Sequence, residues 1–217
     1  MAKSLLTEDQ KLFLDFACGR SEIYRSFYFS GGTALSEFYL HHRLSEDLDF
    51  FSSEPVDTAG LDFFLRANKE FFGNPVIHFH QSFNRNLFFL QFKDVVRLKC
   101  EFTYYPFTRL ETGSKLKSLE VDSVLDIAVN KVFTMSQQAR GRDYFDLYEI
   151  NRKYGFEIPL LAKLARSKFD SPINYLQLGK NLTKVDEFLD DPVLTETPSS
   201  KEMKEFFLRT AMQLEIL

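Results

Sequence analysis

The sequence contains no tryptophan, only two cysteines, and no long apolar run. A membrane-spanning helix needs about 20 consecutive apolar residues, and no segment approaches that length. The first residues also lack the apolar segment of a signal peptide. Cys18 and Cys100 stand far apart and fit no metal-binding or redox spacing, which predicts two buried thiols in a reducing compartment. We therefore expect a cytoplasmic protein with no membrane partner.

An excess of basic residues, typical of a dedicated duplex-DNA-binding protein, is also missing. The chain has 27 Lys and Arg against 31 Asp and Glu, so its formal net charge is −4. This balance still allows a local basic patch that receives an RNA end, and it fits a protein that binds cations. The 217 residues are 44% hydrophobic and include 25 phenylalanines, which is enough for a sizeable core in one or two small domains.

The apolar pattern predicts an α+β fold, with a mixed sheet and helices in residues 1–110 and a helical region in residues 111–217. Thr7 with Gln10 matches a capping box at the start of the first helix. Strands are predicted at 27–30, 47–52, 76–83, 86–92 and 95–105, with a hairpin turn at Lys93 and Asp94. Helices are predicted at 8–18, 33–42, 58–72, 122–138, 143–154, 159–167, 172–190 and 199–215, with a loop at 190–200.

Two carboxylates lie two residues apart in the predicted strand DLDFF. Because side chains alternate along a strand, Asp47 and Asp49 share one face, whereas Leu48 and Phe50 point to the other, toward a core. Neighbouring carboxylates repel, and each raises the pKa of the other. Mg²⁺ removes this conflict because it takes oxygen ligands from one or two carboxylates, water and substrate phosphates. The pair is therefore a candidate metal site; an exposed acidic strand face is the alternative.

Gly31, Gly32 and Thr33 lie between a predicted strand and a predicted helix. Glycines let the backbone approach a ligand closely, and the first N–H groups of a helix face outward. Such a turn suits a phosphate group. The alternative is an ordinary turn in which Thr33 caps the helix.

A third carboxylate, Glu101, falls on the charged face of the predicted strand VVRLKCEFTYY, beside Arg97 and Lys99. If this strand neighbours the Asp47–Asp49 strand, Glu101 completes the set of carboxylates that two-metal transfer chemistry requires. An exposed face with cross-strand ion pairs is the alternative.

Charged residues also occur in the predicted helices that follow. Lys131 lies within a largely apolar helix, and Asp143 and Asp146 are three residues apart on one helix face. One interpretation is that Lys131 reaches a nucleotide phosphate while an aspartate orients it. The other is that Lys131 extends to solvent and Asp143 stabilises a helix N-terminus.

Together these stretches resemble the AbiEii/AbiGii-type nucleotidyltransferases, a branch of the DNA polymerase β-like nucleotidyltransferase superfamily. The resemblance implies a small mixed-sheet nucleotidyltransferase core followed by helices. It also implies Mg²⁺- or Mn²⁺-dependent transfer of a nucleoside monophosphate from an NTP. Members include toxins of toxin–antitoxin and abortive-infection systems, some of which modify tRNA ends. The matching stretches are GGTAL (31–35), HRLSEDLDFF (42–51), RLKCEF (97–102), LDIAVNKVF (125–133) and RGRDYFDLY (140–148).

The resemblance also implies a role for each candidate residue. The chain departs from the superfamily pattern at its phosphate turn, which is usually Gly-Ser, and at Glu101, where Asp is commoner. The implied roles are metal binding by Asp47, Asp49 and Glu101, with Glu101 also activating the acceptor hydroxyl; phosphate binding by Gly31, Gly32, Thr33, Arg43 and Ser45; and triphosphate binding by Lys131, supported by Asp143 or by Asp146.

The acceptor is open at the level of sequence. We expect an RNA end, such as that of a tRNA, together with an antitoxin protein as partner. Transfer to a small molecule or a protein is one alternative, and a catalytically silent protein- or nucleotide-binding module is another. An RNA acceptor predicts a basic approach, for which the candidates are Arg97, Lys99, Arg109, Lys115, Lys117, Arg140 and Arg142.

Overall fold

The computed structural model describes residues 4–93, 95–188, 193–195 and 198–214, in two compact units. The first unit is formed by Met1–Tyr39, Ser45–Thr108 and Thr112–Asp122. The second is formed by Leu40–Leu44, Arg109–Glu111 and Ser123–Leu217. The predicted division at residue 110 stays a prediction. Asp94 of the predicted hairpin turn and much of the predicted loop at 190–200 lie outside the described residues.

The first unit is built on a seven-stranded mixed sheet with the strand order β3-β4-β5-β2-β1-β7-β6. β2 lies parallel to β5 and antiparallel to β1, and β1 lies parallel to β7. This sheet confirms the predicted α+β class. The strands are β1 (Tyr28–Ser30), β2 (Asp47–Ser52), β3 (Val76–Ser82), β4 (Arg85–Phe92), β5 (Val95–Tyr104), β6 (Lys115–Leu116) and β7 (Leu119–Val121).

β6 and β7 were not predicted, because strands of two and three residues are too short to show an alternating pattern. The other strands confirm the predicted positions to within two residues at each end.

The described residues of the sheet unit form the α-helices α1 (Glu8–Cys18), α2 (Ser21–Tyr24), α3 (Gly31–Leu35) and α4 (Thr58–Ala67). The predicted capping box of α1 is present, with Thr7 and Gln10 bonded reciprocally. The helix predicted at 33–42 was wrong in its start and form. It begins at Gly31, and after Leu35 it continues as a π-helix over Ser36–Leu40. The helix predicted at 58–72 ends at Ala67 and is followed by a 3₁₀ turn over Lys69–Phe72.

The core of the sheet unit is aromatic and lies on one face of the sheet. Phe50 of β2 stacks on Phe102 of β5 with ring centroids 4.7 Å apart, and Phe13 of α1 lies 6.0 Å from Phe50. Cys18 and Cys100 are buried and free, as predicted. α1 covers the apolar face of the sheet. Because side chains alternate along a strand, the polar side chains of β2 and β5 point to the opposite face.

The second unit is helical, as predicted: α5 (Val124–Gln137), α6 (Gly141–Tyr154), α7 (Ile158–Phe169), α8 (Tyr175–Leu182) and α9 (Ser200–Leu214). The single helix predicted at 172–190 is divided, because α8 ends at Leu182 and Val185–Phe188 forms a separate 3₁₀ turn. No helix in the described part of the chain is long and apolar enough to cross a bilayer.

Candidate active site

Asp47 and Asp49 lie on the same face of β2, as their spacing predicts. Leu48 and Phe50 between and beside them are 0% exposed, whereas both aspartates are partly exposed. Lys99 of β5, directly opposite Asp47 in the parallel register, makes an ion pair with it. The carboxylate pair is therefore presented on a polar sheet face, and a lysine partly balances its charge.

Gly31 lies directly against Asp49. Its φ is +77°, and a Cβ atom added to it would lie 2.0 Å from Oδ2 of Asp49. A side chain here would require the Asp49 side chain to shift, so the position of the carboxylate favours glycine, as does the backbone conformation. Gly32 follows in the first turn of α3.

Thr33 fixes this turn to β2. It is 2% exposed, and its hydroxyl donates a hydrogen bond to the backbone carbonyl of Asp47. Ser30, not Thr33, occupies the N-cap position of α3. Ser45, on the approach to β2, is half-buried, and its carbonyl accepts a hydrogen bond of 2.8 Å from Gln10. Phosphate binding by Thr33 and Ser45 stays a prediction.

Ser30 and Asp122 form a buried pair beneath the glycine turn. Ser30 Oγ donates to Oδ2 of Asp122 over 2.8 Å, and the side chains are 1% and 0% exposed. The backbone N–H of Asp122 also donates to the carbonyl of Phe29 in β1. This support was not predicted, because the two residues are 92 positions apart and nothing in the sequence indicates that β7 lies beside β1.

Glu101 lies directly opposite Asp49 in the register between β2 and β5. It is 5% exposed. Arg85 of β4 holds it through two parallel hydrogen bonds of 2.6 Å, and Thr103 donates a third of 2.9 Å. Burial alone raises the pKa of Glu101, but the contacts with Arg85 and Thr103 outweigh burial and lower it, so the carboxylate is ionised at neutral pH.

Arg85 was not predicted as a site residue. It is 16 positions from Glu101, and only the antiparallel register of β4 and β5 brings the two together. The sequence contains no local signal for this pair.

The donor set fits a divalent cation that takes two protein carboxylates. Asp47 and Asp49 would supply those oxygens, and Mg²⁺ would take its remaining ligands from water and substrate phosphates. Among the residues that the structure describes, no group of three or more His, Cys, Asp or Glu side chains is arranged to hold a metal ion. Since Glu101 is bonded to Arg85 and Thr103, its role as a third metal ligand stays a prediction.

Lys131, Asp143 and Asp146 form a buried charge cluster within the helical unit. Lys131 Nζ lies 2.9 Å from Oδ1 of Asp143 and 2.5 Å from Oδ2 of Asp146. Arg140 contacts the other oxygen of Asp143 over 2.7 Å. The alternative in which Lys131 extends to solvent is excluded, because its side chain is only 8% exposed. Contact between this cluster and a triphosphate stays a prediction.

Arg43 and His42 also converge on Asp146. Two nitrogens of the Arg43 guanidinium lie 2.7 and 2.9 Å from its oxygens, and His42 Nε2 lies 2.5 Å from Oδ1. Burial alone raises the pKa of Asp146, but Lys131 and Arg43 hold it well below its usual range. Arg43 is 2% exposed, and its third nitrogen donates to Leu44 O. A phosphate contact of Arg43, which stays a prediction, requires some of these bonds to break.

Much of the predicted basic approach is neutralised within the chain. Arg97 lies 3.3 Å from Asp9, Lys117 lies 2.7 Å from Asp15, and Lys99 and Arg140 make the ion pairs already described. Each of these four cations is thus in an ion pair with a carboxylate. The pair of Lys117 with Asp15 is exposed on both sides and opens at little cost, whereas the partner of Arg140, Asp143, is 0% exposed.

The fold is that of nucleotidyltransferases. A Helicobacter pylori protein solved as a candidate nucleotidyltransferase superposes with a TM-score of 0.62 at 18% identity, covering 97% of this chain and 96% of that one. The nucleotidyltransferase toxin MenT4 from Mycobacterium tuberculosis superposes with a TM-score of 0.57 at 15% identity, covering 99% and 86%. At these identities the likeness concerns the fold alone.

The family is defined by sequence. A model of the family described as nucleotidyl transferase AbiEii toxin, type IV TA system, matches residues 16–215, and the chain therefore belongs to this family of nucleotidyltransferases. Protein aq_aa25 of Aquifex aeolicus (strain VF5) is 29% identical over 191 residues, covering 86% of this chain and 87% of that protein. The resemblance identified from the motifs is confirmed. Membership makes an NTP the substrate and an antitoxin the expected partner.

Proposed function

We propose that the chain transfers a nucleoside monophosphate from an NTP to an RNA end, with the end of a tRNA as the expected acceptor. A divalent cation, Mg²⁺ or Mn²⁺, would be held by Asp47 and Asp49. The observation that supports this proposal is the close approach of Gly31 to Asp49, because the glycine turn that would bind phosphate then lies beside the carboxylate that would bind the metal.

The residues of the sheet unit would divide the reaction between them. When bound, the cation supplies positive charge that neutralises the triphosphate and activates the acceptor hydroxyl. The turn at Gly31 and Gly32 would place the phosphates against β2. The acceptor oxygen would form a bond to the α-phosphorus as the bond to the bridging oxygen breaks and pyrophosphate leaves. Glu101, opposite Asp49, would orient the hydroxyl and accept its proton.

The roles of Lys131 and Asp143 in this proposal rest on the family motifs at 125–133 and 140–148. Lys131 would bind the triphosphate, and Asp143 would orient its ammonium group through the 2.9 Å contact. Asp146 is the second candidate for this orienting role because it contacts Lys131 equally directly.

A labelled transfer reaction tests the proposal. The protein is incubated with each α-³²P-NTP, Mg²⁺ and total cellular RNA, beside Asp49→Asn and a matched control, Asp62→Asn. Asp62 pairs with Arg66 on the surface of α4, so its replacement also removes a carboxylate but leaves β2 intact. We expect label in a discrete RNA band with wild type and Asp62→Asn, and its loss with Asp49→Asn.

Other outcomes separate the alternatives. Label in protein would indicate a protein acceptor. Pyrophosphate release without labelled RNA or protein would indicate a small-molecule acceptor. Full activity of Asp49→Asn would show that the proposed metal site on β2 is wrong. Complete inactivity of wild type with every NTP would favour the silent binding module.

A further inference from the structure

The β3–β4 hairpin differs in composition from the rest of the chain. Residues 76–92 contain no Asp or Glu, although the whole chain has 31 of them, and they include five phenylalanines, two histidines and one arginine. Surfaces that bind single-stranded nucleic acid combine aromatic groups, on which bases stack, with an absence of negative charge. The hairpin has both properties.

One face of this hairpin continues the face that carries the carboxylates. In the sheet register Asp49 lies opposite Glu101, Glu101 opposite Leu87, and Leu87 opposite His80. Residues directly opposite each other on neighbouring strands project to the same side of a sheet. His80 therefore shares the face of Asp49, and two strand spacings place it about 10 Å from Glu101.

The residues opposite Asp47 on the neighbouring strands also lead to the edge strand β3. Asp47 lies opposite Lys99, Lys99 opposite Phe89, and Phe89 opposite His78. Phe89 is half-buried and His78 is exposed at the edge strand β3. On this face Phe89, His78 and His80 therefore lie on the two outer strands, and Lys99, Glu101 and Leu87 separate them from the two aspartates.

Phe83 stands at the tip of this hairpin in a conformation that phenylalanine rarely adopts. It is 96% exposed, and its φ is +54°. Turns of this kind favour glycine or asparagine, because a larger side chain is strained at positive φ. Folding gains nothing from an exposed ring in this place, and strained residues of this kind are concentrated at binding sites.

Arg85 connects the hairpin tip to the candidate active site. It follows Phe83 by two positions, is about half exposed, and its guanidinium binds Glu101 through two hydrogen bonds of 2.6 Å. A group bound at Phe83 would therefore lie two residues along the chain from the side chain that holds the carboxylate opposite Asp49.

We propose that the β3–β4 hairpin is the platform on which the unpaired terminal bases of the RNA acceptor stack. Phe83 provides the outer stacking surface, and His80 and Phe89 provide the inner one, so that the acceptor crosses the sheet from β3 toward β5. This inference rests on the proposed function and adds the direction from which the acceptor approaches.

Steady-state transfer kinetics test the platform, with RNA acceptors that carry either an unpaired end or a fully paired blunt end. The variants are Phe83→Asn and His80→Ala, with Phe83→Trp as the conservative replacement. Phe63→Ala is the matched control, because Phe63 is 74% exposed on α4, outside the hairpin. Asparagine tolerates positive φ, so Phe83→Asn is expected to fold at least as stably as wild type.

Loss of one stacking contact is expected to raise the acceptor KM roughly ten-fold. We expect this for Phe83→Asn and His80→Ala on the unpaired end, with the NTP KM unchanged. Phe83→Trp and Phe63→Ala should keep the wild-type acceptor KM, and wild type should prefer the unpaired end.

The outcomes distinguish this inference from the proposed function. If wild type transfers to RNA but the acceptor KM of Phe83→Asn and His80→Ala is unchanged, the platform is wrong and the proposed function stands. If wild type transfers nothing to RNA, both fail. If the hairpin variants weaken transfer to a protein instead, the surface binds a protein, and the stacking role is overturned.

Discussion

At the residue scale, a comparison of Gly31 with Gly155 distinguishes a glycine needed for its backbone conformation from one that also lies against a site residue. Gly31 and Gly155 both have positive φ, +77° and +70°. A Cβ at Gly31 would lie 2.0 Å from Asp49, whereas at Gly155 no atom lies within 4 Å. The two glycines therefore share the conformational cost of a substitution and differ in its effect on the carboxylate.

We predict that Gly31→Ala abolishes transfer activity and that Gly155→Ala preserves it. Each variant should lose about 1–2 kcal/mol of folding stability from the strained φ, and Gly31→Ala should lose more because Asp49 must move. Transfer assays and urea unfolding of both variants measure this difference. Normal activity of Gly31→Ala would show that the position of Asp49 against the turn is unimportant for the reaction.

At the element scale, α6 is bound to the segment Leu40–Leu44 through Asp146. Both belong to the helical unit, and Arg43 and His42 from the segment share this carboxylate with Lys131 from α5. The side chain of Asp146 is 0% exposed, so these partners stabilise its charge in place of solvent. The cluster therefore contributes to the packing of the unit as well as to any role in binding.

We predict that Arg43→Gln lowers the free energy of unfolding by about 3–5 kcal/mol, as expected when one partner of a buried ion pair is removed. The matched control is Arg66→Gln, whose pair with Asp62 is exposed and should contribute about 0.2–1 kcal/mol. Urea unfolding at neutral pH measures both. Unchanged stability with a raised NTP KM would instead make Arg43 a phosphate ligand.

The stability difference between wild type and Arg43→Gln should also depend on pH. The pKa of Asp146 is depressed in the folded state, so its contribution to stability is present above the unfolded pKa, near 3.9, and is lost as pH falls through the folded value. The stability difference between wild type and Arg43→Gln should therefore narrow only in strong acid.

Features that depend on residues close together in the sequence could be predicted, and features that depend on distant residues could not. The face shared by Asp47 and Asp49 follows from alternation over three residues, and long helices such as α5 follow from periodic patterns of ten residues or more, whereas the four-residue helix α2 was not predicted. Arg85, Asp122 and His42 were missed because each acts through a partner 16 to 104 positions away. Such contacts depend on strand register and helix packing, which a single sequence does not contain.

At the scale of the whole molecule, the chain carries a net charge of −4, and both proposed substrates are polyanions. The overall field therefore opposes binding, and local cations must offset it. Lys99 and Arg85 lie on the carboxylate face, but each is already paired with Asp47 or Glu101. In the proposed function, a bound divalent cation would supply the additional positive charge for the triphosphate.

This argument predicts that an NTP stabilises the folded chain only together with a divalent cation. With Mg²⁺ present and the NTP at 100 times its Kd, wild type should gain about 2.7 kcal/mol by mass action. For a chain of this length, each kcal/mol raises Tm by about 2–4 °C. EDTA should abolish the gain, and so should Asp47→Asn together with Asp49→Asn, whereas Asp62→Asn should retain it. An equal thermal shift with NTP in EDTA would mean that the phosphates bind without metal, and the role assigned to the aspartate pair would then be wrong.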